Sequence, residues 1–223
     1  LAQWLSVTYN VFHGYIDDWP LSFPDLGKNA LVNVTAVDAL AILPLLDIGG
    51  QSYAAQLSSA RGSACLNTCR FLAAEMNIAT GQSTLVASGT IAADTSALSH
   101  LLDAEASENG LLFADAGGTV VIQDRHLRPK NKSASSGTIG TGGGMIGYRD
   151  LRTSYGVSDL WNEISVTANG GTAEVATDAG STASYYKRSL AWPTGGNYLV
   201  ASQSEALNAA QHVRGLYAAP ALR

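Results

Sequence analysis

The side chains able to do chemistry are few and scattered. Four histidines, His13, His100, His126 and His212, lie far apart in the chain. None falls in an H-E-x-x-H pattern or beside a cysteine at metal-ligand spacing, so no metal site is expected. Asp17 and Asp18 are adjacent, and on a strand adjacent side chains point to opposite faces. They cannot act on each other as an acid–base dyad, and a structural or turn role is expected. His13 lies close to Asp17, and His126 follows Asp124. A Ser-His-Asp set assembled by the fold stays open, because triads need not be local in sequence. No G-x-S-x-G elbow supports one. The expectation is no catalytic residue, no cofactor-binding residue and no metal ligand.

Two further patterns weaken on inspection. Gly142 to Gly147 matches G-x-G-x-x-G, but the dinucleotide fingerprint also needs a preceding strand and a following helix. A Ser/Gly tract and Tyr148-Arg149-Asp150 flank it instead, so no cofactor is expected. Cys65 and Cys69 are four apart in a helical pattern and share one face, a poor arrangement for a disulfide. Buried free thiols are expected. Trp4, Trp19, Trp161 and Trp192 could stack on sugars, but single tryptophans near turns read first as core or interface anchors.

Composition bounds the function. Hydrophobic residues make up 46% of the 223 and charged residues 14%, against ~25% charged in typical soluble domains. Scarce charge points to surface covered by partners, or simply to a chain rich in small residues. The net charge is −5, and the longest basic run is the short Arg125–Lys132 segment. Direct nucleic-acid binding, which needs clustered Lys and Arg, is not expected. No apolar run reaches the ~20 residues that span a bilayer. No secretory leader is visible from Leu1 onward, and the missing Met suggests an excerpt of a longer chain.

These side chains must be positioned by a mixed set of elements. Ser6–Phe23 is rich in aromatic and β-branched residues and reads as a strand pairing with Ala30–Ala36 as a hairpin. Asp38 caps a short helix that Pro44 bends or ends. Residues 47–62 read as a loop. Helices are expected over Ser63–Met76, Asp94–Asn109 (capped by Asp94 or Thr95) and Ser204–Leu216. Gly110 ends the second in the left-handed conformation. Ser83–Gly89 is a short strand. Leu111–Ala114 and Thr119–Asp124 form a hairpin around Ala116–Gly118, with Leu101, Leu102, Phe113 and Val121 buried together. Leu160–Ala168 and Thr172–Asp178 pair across Asn169-Gly170-Gly171. Leu207, Ala210, Val213 and Leu216 face the core from the last helix. The fold class is α+β, with antiparallel sheets or small barrels and a few packed helices. Residues 1–44 and 148–223 form a mainly β region, 63–130 an α/β hairpin domain, and 131–147 a Gly/Ser-rich linker.

Four segments carry a resemblance: VFHGYIDDWP, VNVTAVDALAIL, LLDAEASENGLLFADAGGTVVIQDRH and LWNEISVTANGGTAEVATDAGSTASYYKRSL. Together they resemble the minor tail proteins of long-tailed actinobacterial phages and, more distantly, tail and baseplate hub proteins. Gly14, Ile16, Trp19 and Pro20 match the opening motif, with His13 in place of its basic residue. Asp124-Arg125-His126 and Asn162–Thr167 match two others. The resemblance implies a tail-hub-like fold, no cofactor and no chemistry. It implies a virion structural protein at the tail tip. Its partners would be itself, in a ring and most simply a homotrimer, and other phage tail proteins. The competing expectations are a host-surface carbohydrate-binding module, which needs aromatics around an open groove, and a cell-wall hydrolase domain, which needs convergent acid and base groups.

Overall fold

A computed structural model of the chain describes residues 2–4, 7–23, 30–127, 138–150, 155–193 and 198–222. It is α+β, with five α-helices and several small, mostly antiparallel sheets among these residues.

The chain opens as short hairpins. Strands β1 (Ala2–Trp4) and β2 (Val7–Tyr9) pair with each other. Strand β3 (Tyr15–Asp18) pairs antiparallel with β6 (Thr35–Val37), and β4 (Leu21–Ser22) pairs with β5 (Leu31–Val32). The expected hairpin between the two segments is present. The expected single strand over Ser6–Phe23 is instead three strands, interrupted at 10–14 and again at Trp19-Pro20, where proline supplies no ladder N–H.

The first core gathers Ala39, Leu43, Ile48, Tyr53, Cys65, Leu66, Ala97, Leu101 and Val120. Helix α1 (Ala39–Ile42) is capped by the Asp38 carboxylate, which accepts from the Leu40 and Ala41 amides, and Pro44 sits in the 3-10 turn that follows. Strands β7 (Ser52–Tyr53) and β8 (Gln56–Leu57) lead into α2 (Ser58–Thr68). This corrects two expectations. Residues 47–62 are not simply a loop, and the helix is displaced five residues upstream of Ser63. It stops at Cys69 because Arg70 turns left-handed (φ 64°) and the Phe71 amide closes back on the Leu66 carbonyl. Met76 therefore lies in strand β9 (Met76–Ile78), not in a helix.

Ser83–Gly89 likewise splits, into β10 (Thr84–Leu85) and β11 (Gly89–Thr90), paired with β8 and β7 respectively. Helix α3 (Ala97–Glu108) is capped by Ser96, whose hydroxyl accepts from the Ser99 amide, rather than by Asp94 or Thr95. At its far end Asn109, not Gly110, takes the left-handed conformation (φ 55°). Gly110 is needed for another reason: a Cβ there would lie 2.1 Å from the Gln123 carbonyl oxygen. Strand β12 (Leu111–Ala114) then pairs antiparallel with β13 (Val120–Gln123), whose other edge pairs parallel with β9. The Asp115 carboxylate fixes the intervening turn by accepting from the Gly117 and Thr119 amides at 2.8 and 2.9 Å.

The second core lies in the C-terminal third. Strand β14 (Tyr155–Gly156) is followed by β15 (Glu163–Thr167), which pairs antiparallel with β16 (Ala173–Thr177) across the expected Asn169–Gly171 turn. Helix α4 (Ala179–Tyr185) precedes β17 (Ser189–Trp192), which joins β15 in parallel. Helix α5 (Gln203–Tyr217) packs on this sheet, and β18 (Ala221–Leu222) pairs with β14. Ile164 and Val166 on alternate positions of β15 meet Ala206, Ala209, Ala210 and Val213 of α5. The alanines carry no side chain beyond Cβ, so the helix can sit close to the sheet.

Two expected core positions are wrong by one helical step. Leu102 is 45% exposed while Leu101 is 2% exposed, and Leu216 is 55% exposed. In both helices small residues, not the extra leucine, face inward. Phe113 is half-buried and Val121 buried, but neither joins Leu101: Leu112, Val120 and Ile122 face that core, and Phe113 and Val121, at the alternate positions, lie on the other face of the sheet.

Candidate functional site

Two places are candidates: an apolar arm and a polar junction. In the arm, every described residue from Thr8 to Ala36 is exposed except Gly14, which is half-buried. Val11, Phe12, Tyr15, Ile16, Trp19, Leu21, Phe23, Leu31, Val32 and Val34 all lie in this stretch, with Trp19 63% and Phe23 62% exposed. Tyr15 and Ile16 are strand neighbours that point to opposite faces, so both faces of the β3–β6 ribbon are apolar and open. A two-stranded ribbon is marginal by itself. Apolar surface of this extent, contributed by one continuous segment, marks an interaction site in a folded protein.

The junction is built around Glu108 at the end of α3, which is 1% exposed. Its Oε2 accepts from the Ser58 hydroxyl at 2.6 Å and from the Gln82 and Ser83 amides at 3.0 and 2.9 Å. Its Oε1 accepts from Arg125 Nε at 3.4 Å. Arg125, itself 6% exposed, also donates from Nη2 to the Ser83 hydroxyl. The second core docks beside this cluster. The Thr84 amide donates to Glu205 Oε1 at 3.1 Å and the Leu199 amide to the Ser107 hydroxyl at 2.8 Å. The Val86 and Ala201 amides complete the seam with the Leu199 and Thr84 carbonyls. Trp192 Nε1 donates to Asn109 Oδ1 across it.

A cleft of about 430 Å³ opens at this seam, lined by Gln82, Arg125, His126, Glu205, Asn208, Gln211 and His212. His126 and His212 meet edge to face, ring centroids 5.6 Å apart. Burial, helped by the charge of Arg125, pushes the His212 imidazole below its ordinary value. Arg125 Nη1 and Glu205 Oε2 are buried and have no hydrogen-bond partner among the described residues. A second groove of similar size, walled by Trp192, Leu216 and Tyr217, shares His212 with the first.

The residues singled out in the sequence are dispersed. Asp17 and Asp18 are both exposed on β3. His13 packs against the Gly118 turn, where a Cβ would lie 2.9 Å from its ring. Asp124 is buried and its carboxylate accepts from the amide of His126 at 2.6 Å, which closes a local turn. His100 stacks on Tyr53 with centroids 5.3 Å apart, and the Arg61 guanidinium lies 5.3 Å from the same tyrosine ring. Cys65 and Cys69 are free thiols, and burial pushes Cys65 up to about 12, which makes it a poor nucleophile. Gly142–Gly147 is an exposed turn with an Ile139–Ile146 bridge, without the strand and helix a dinucleotide site requires. Of the linker, 131–137 lies outside the described residues. Trp161 and Trp192 pack against the second core, Trp19 is in the arm, and Trp4 lies on β1. Among the described residues no three His, Cys, Asp or Glu side chains are placed to hold a metal ion, and no helix is long and apolar enough to cross a membrane.

Sequence reasoning missed Arg61, which is fully buried and donates to the Ala54 and Val86 carbonyls. It also missed Glu108, Arg125 and Glu205 as a group. Only the Asp-Arg-His triplet drew attention to that neighbourhood.

The mixed α+β fold of small sheets and a few packed helices resembles solved structures of phage tail proteins. The 43 kDa tail protein of prophage MuSo2 from Shewanella oneidensis superposes with a TM-score of 0.54 at 17% identity, over 92% of this chain and 59% of that one. The tail protein from Neisseria meningitidis MC58 gives 0.53 at 12% identity, over 90% and 58%. Prophage tail protein gp18 from Listeria monocytogenes EGD-e gives 0.52 at 11% identity, over 96% and 63%. The likeness is one of fold, and the chain spans about three-fifths of the length of these proteins. No protein-family model and no curated protein sequence matches it.

Proposed function

We propose that the chain is a structural component of a phage tail, acting as a hub at the tail tip. It forms a ring of identical copies, most simply a trimer. The ring joins the tail tube above to tip or receptor-binding proteins below, and leaves a channel for DNA. The shared fold supports the tail assignment. The arm is the observation that carries the assembly role. Its ten half-exposed large side chains present on the order of 1,000 Å² of apolar surface, the scale of a stable interface. Another copy of this chain is the occupant we assign to it, because closed rings of identical subunits bury such surface symmetrically. The scarcity of charge agrees with extensive coverage.

A reconstruction of the particle tests this reading. A symmetric ring at the distal end of the tail, with the 8–37 segment against a neighbouring copy, is expected. A lone peripheral copy would refute it. The reading also expects no turnover. Purified protein incubated with peptidoglycan should release no fragments, and fragments lost in Asp17→Ala or His126→Ala would establish an enzyme instead.

A further inference from the structure

A closed ring sets a condition on the arm. Each copy gives one surface and receives another, so the arm of one copy meets a surface of the next that is not itself an arm. That surface must match the arm in character and extent. The arm presents on the order of 1,000 Å² of apolar side chain, against roughly 800 Å² per partner in a stable interface.

The groove between the end of α3 and α5 meets the condition. It holds about 430 Å³ and is lined by Ala106, Leu111, Trp192, Val213, Leu216 and Tyr217. Val213 is buried, whereas Leu216 is 55% exposed. The polar groups beside them are committed within the chain or held close to neutral. Asn109 Oδ1 accepts from Trp192 Nε1, and Glu105 Oε1 accepts from the Leu112 amide at 2.9 Å. Burial disfavours the charged forms of Glu105 and His212 alike. What a partner meets is aliphatic and aromatic surface, the same character as the arm.

Position adds an independent argument. The arm leaves the body at one end of the β12–β13 hairpin, and the groove opens at the other. At the turn, His13 packs against Gly118, and a Cβ on Gly117 would lie 3.5 Å from the Asn10 side-chain nitrogen. At the opposite end, Gly110 and Leu111 line the groove. The four residues of β12 lie between, a span of ~13 Å. A donor at one end and a receiver at the other is a head-to-tail arrangement, which repetition closes into a ring.

We propose that this groove receives the arm of the next copy, with Trp19 as the side chain that enters it. The inference rests on the ring reading and adds to it the receiving surface. Trp19 stands at the break between β3 and β4, where Pro20 follows it, and is 63% exposed, so its own chain does not cover it. Tryptophan seated in a desolvated pocket is the commonest kind of interface hot spot. Trp192 and Tyr217 offer it aromatic walls.

The test uses the full 223-residue chain in native mass spectrometry, with circular dichroism to confirm folding. Trp19→Ser removes the entering side chain. Leu216→Glu places a charge at the groove, at an exposed position that the fold tolerates. Each variant alone should associate only at about thirtyfold or more higher concentration than the unaltered protein, the scale of a hot-spot loss. Mixing the two is the decisive arm. The Leu216→Glu copy keeps a sound arm and the Trp19→Ser copy a sound groove, so one good contact forms. A 1:1 heterodimer should appear at concentrations where each variant alone is monomeric, and should grow no further. A Leu216→Glu protein that still closes its ring while Trp19→Ser does not would overturn the groove and leave the ring reading standing. So would two folded monomeric variants that do not pair when mixed. An unaltered protein that is monomeric at every concentration would overturn the ring reading, and this inference with it.

Discussion

At the scale of single residues, the structure separates neighbours that the sequence treats alike. Leu101 and Leu102 both continue a helical apolar pattern, yet only Leu101 enters the core. Leu101→Ala should cost ~2–5 kcal/mol through the cavity it leaves. Leu102→Ala should cost no more than about 0.5 kcal/mol, as at an ordinary surface position. Paired denaturant unfolding curves measure both, and equal losses would mean that the helix is rotated. His100 gives a pH effect with a definite sign. Burial and the nearby Arg61 charge hold it below its ordinary 6.5, with Asp103 opposing weakly. Between the folded value and 6.5 the unfolded chain binds the proton and the folded chain does not, so stability falls as pH drops through that window. Melting temperature should therefore decline from about pH 7.5 to about pH 5. His100→Phe keeps the ring on Tyr53 and should flatten the decline in part, since His212 is lowered too and adds a slope of the same sign. An unchanged slope would show that His100 is not held neutral.

At the scale of elements, α3 and its hairpin show what a sequence can express. The cap at Asp94 or Thr95, the stop at Asn109-Gly110 and the turn at Ala116–Gly118 are local signals, and the structure follows them to within a residue or two, with Ser96 as the cap and Asn109 in the left-handed conformation. Gly110→Ala tests the tightest of them. The added methyl meets the Gln123 carbonyl, and a loss of about 1–3 kcal/mol is expected from the strain. A neutral result in a thermal scan would mean that α3 and β13 can part without cost. The start of α2 was not legible, for a physical reason. Ser58, Ser59, Arg61 and Gly62 resemble a loop because their apolar content is low. Their burial is supported by groups far along the chain: Glu108 for Ser58 and the Val86 carbonyl for Arg61. The polar junction was hidden for the same cause, because Ser58, Gln82, Glu108, Arg125 and Glu205 have no common spacing. Helix α5 is legible in extent, and Ala210 and Val213 face the core as expected, whereas Leu216 is exposed and Leu207 only half-buried. Ala206 and Ala209, which the apolar pattern does not single out, complete the inward face because their small side chains permit the closer approach.

At the scale of the whole molecule, the arm is the feature that a solitary chain does not explain. The sequence predicted its hairpin but not its exposure, because alternating aromatic and β-branched residues look the same whether a neighbour covers them or the chain's own core does. In the proposed ring, the ten large exposed apolar side chains between Val11 and Val34 are the adhesive surface, and the two cores are the body that carries them. The central claim is that this arm joins copies of the chain, and native mass spectrometry measures that directly. The unaltered protein should run as a single closed oligomer, a trimer in the simplest case. The triple variant Ile16→Ser/Trp19→Ser/Leu21→Ser should run as a folded monomer with unchanged helical circular dichroism. A protein that is monomeric at every concentration, or a ring that survives the triple substitution, would contradict the account.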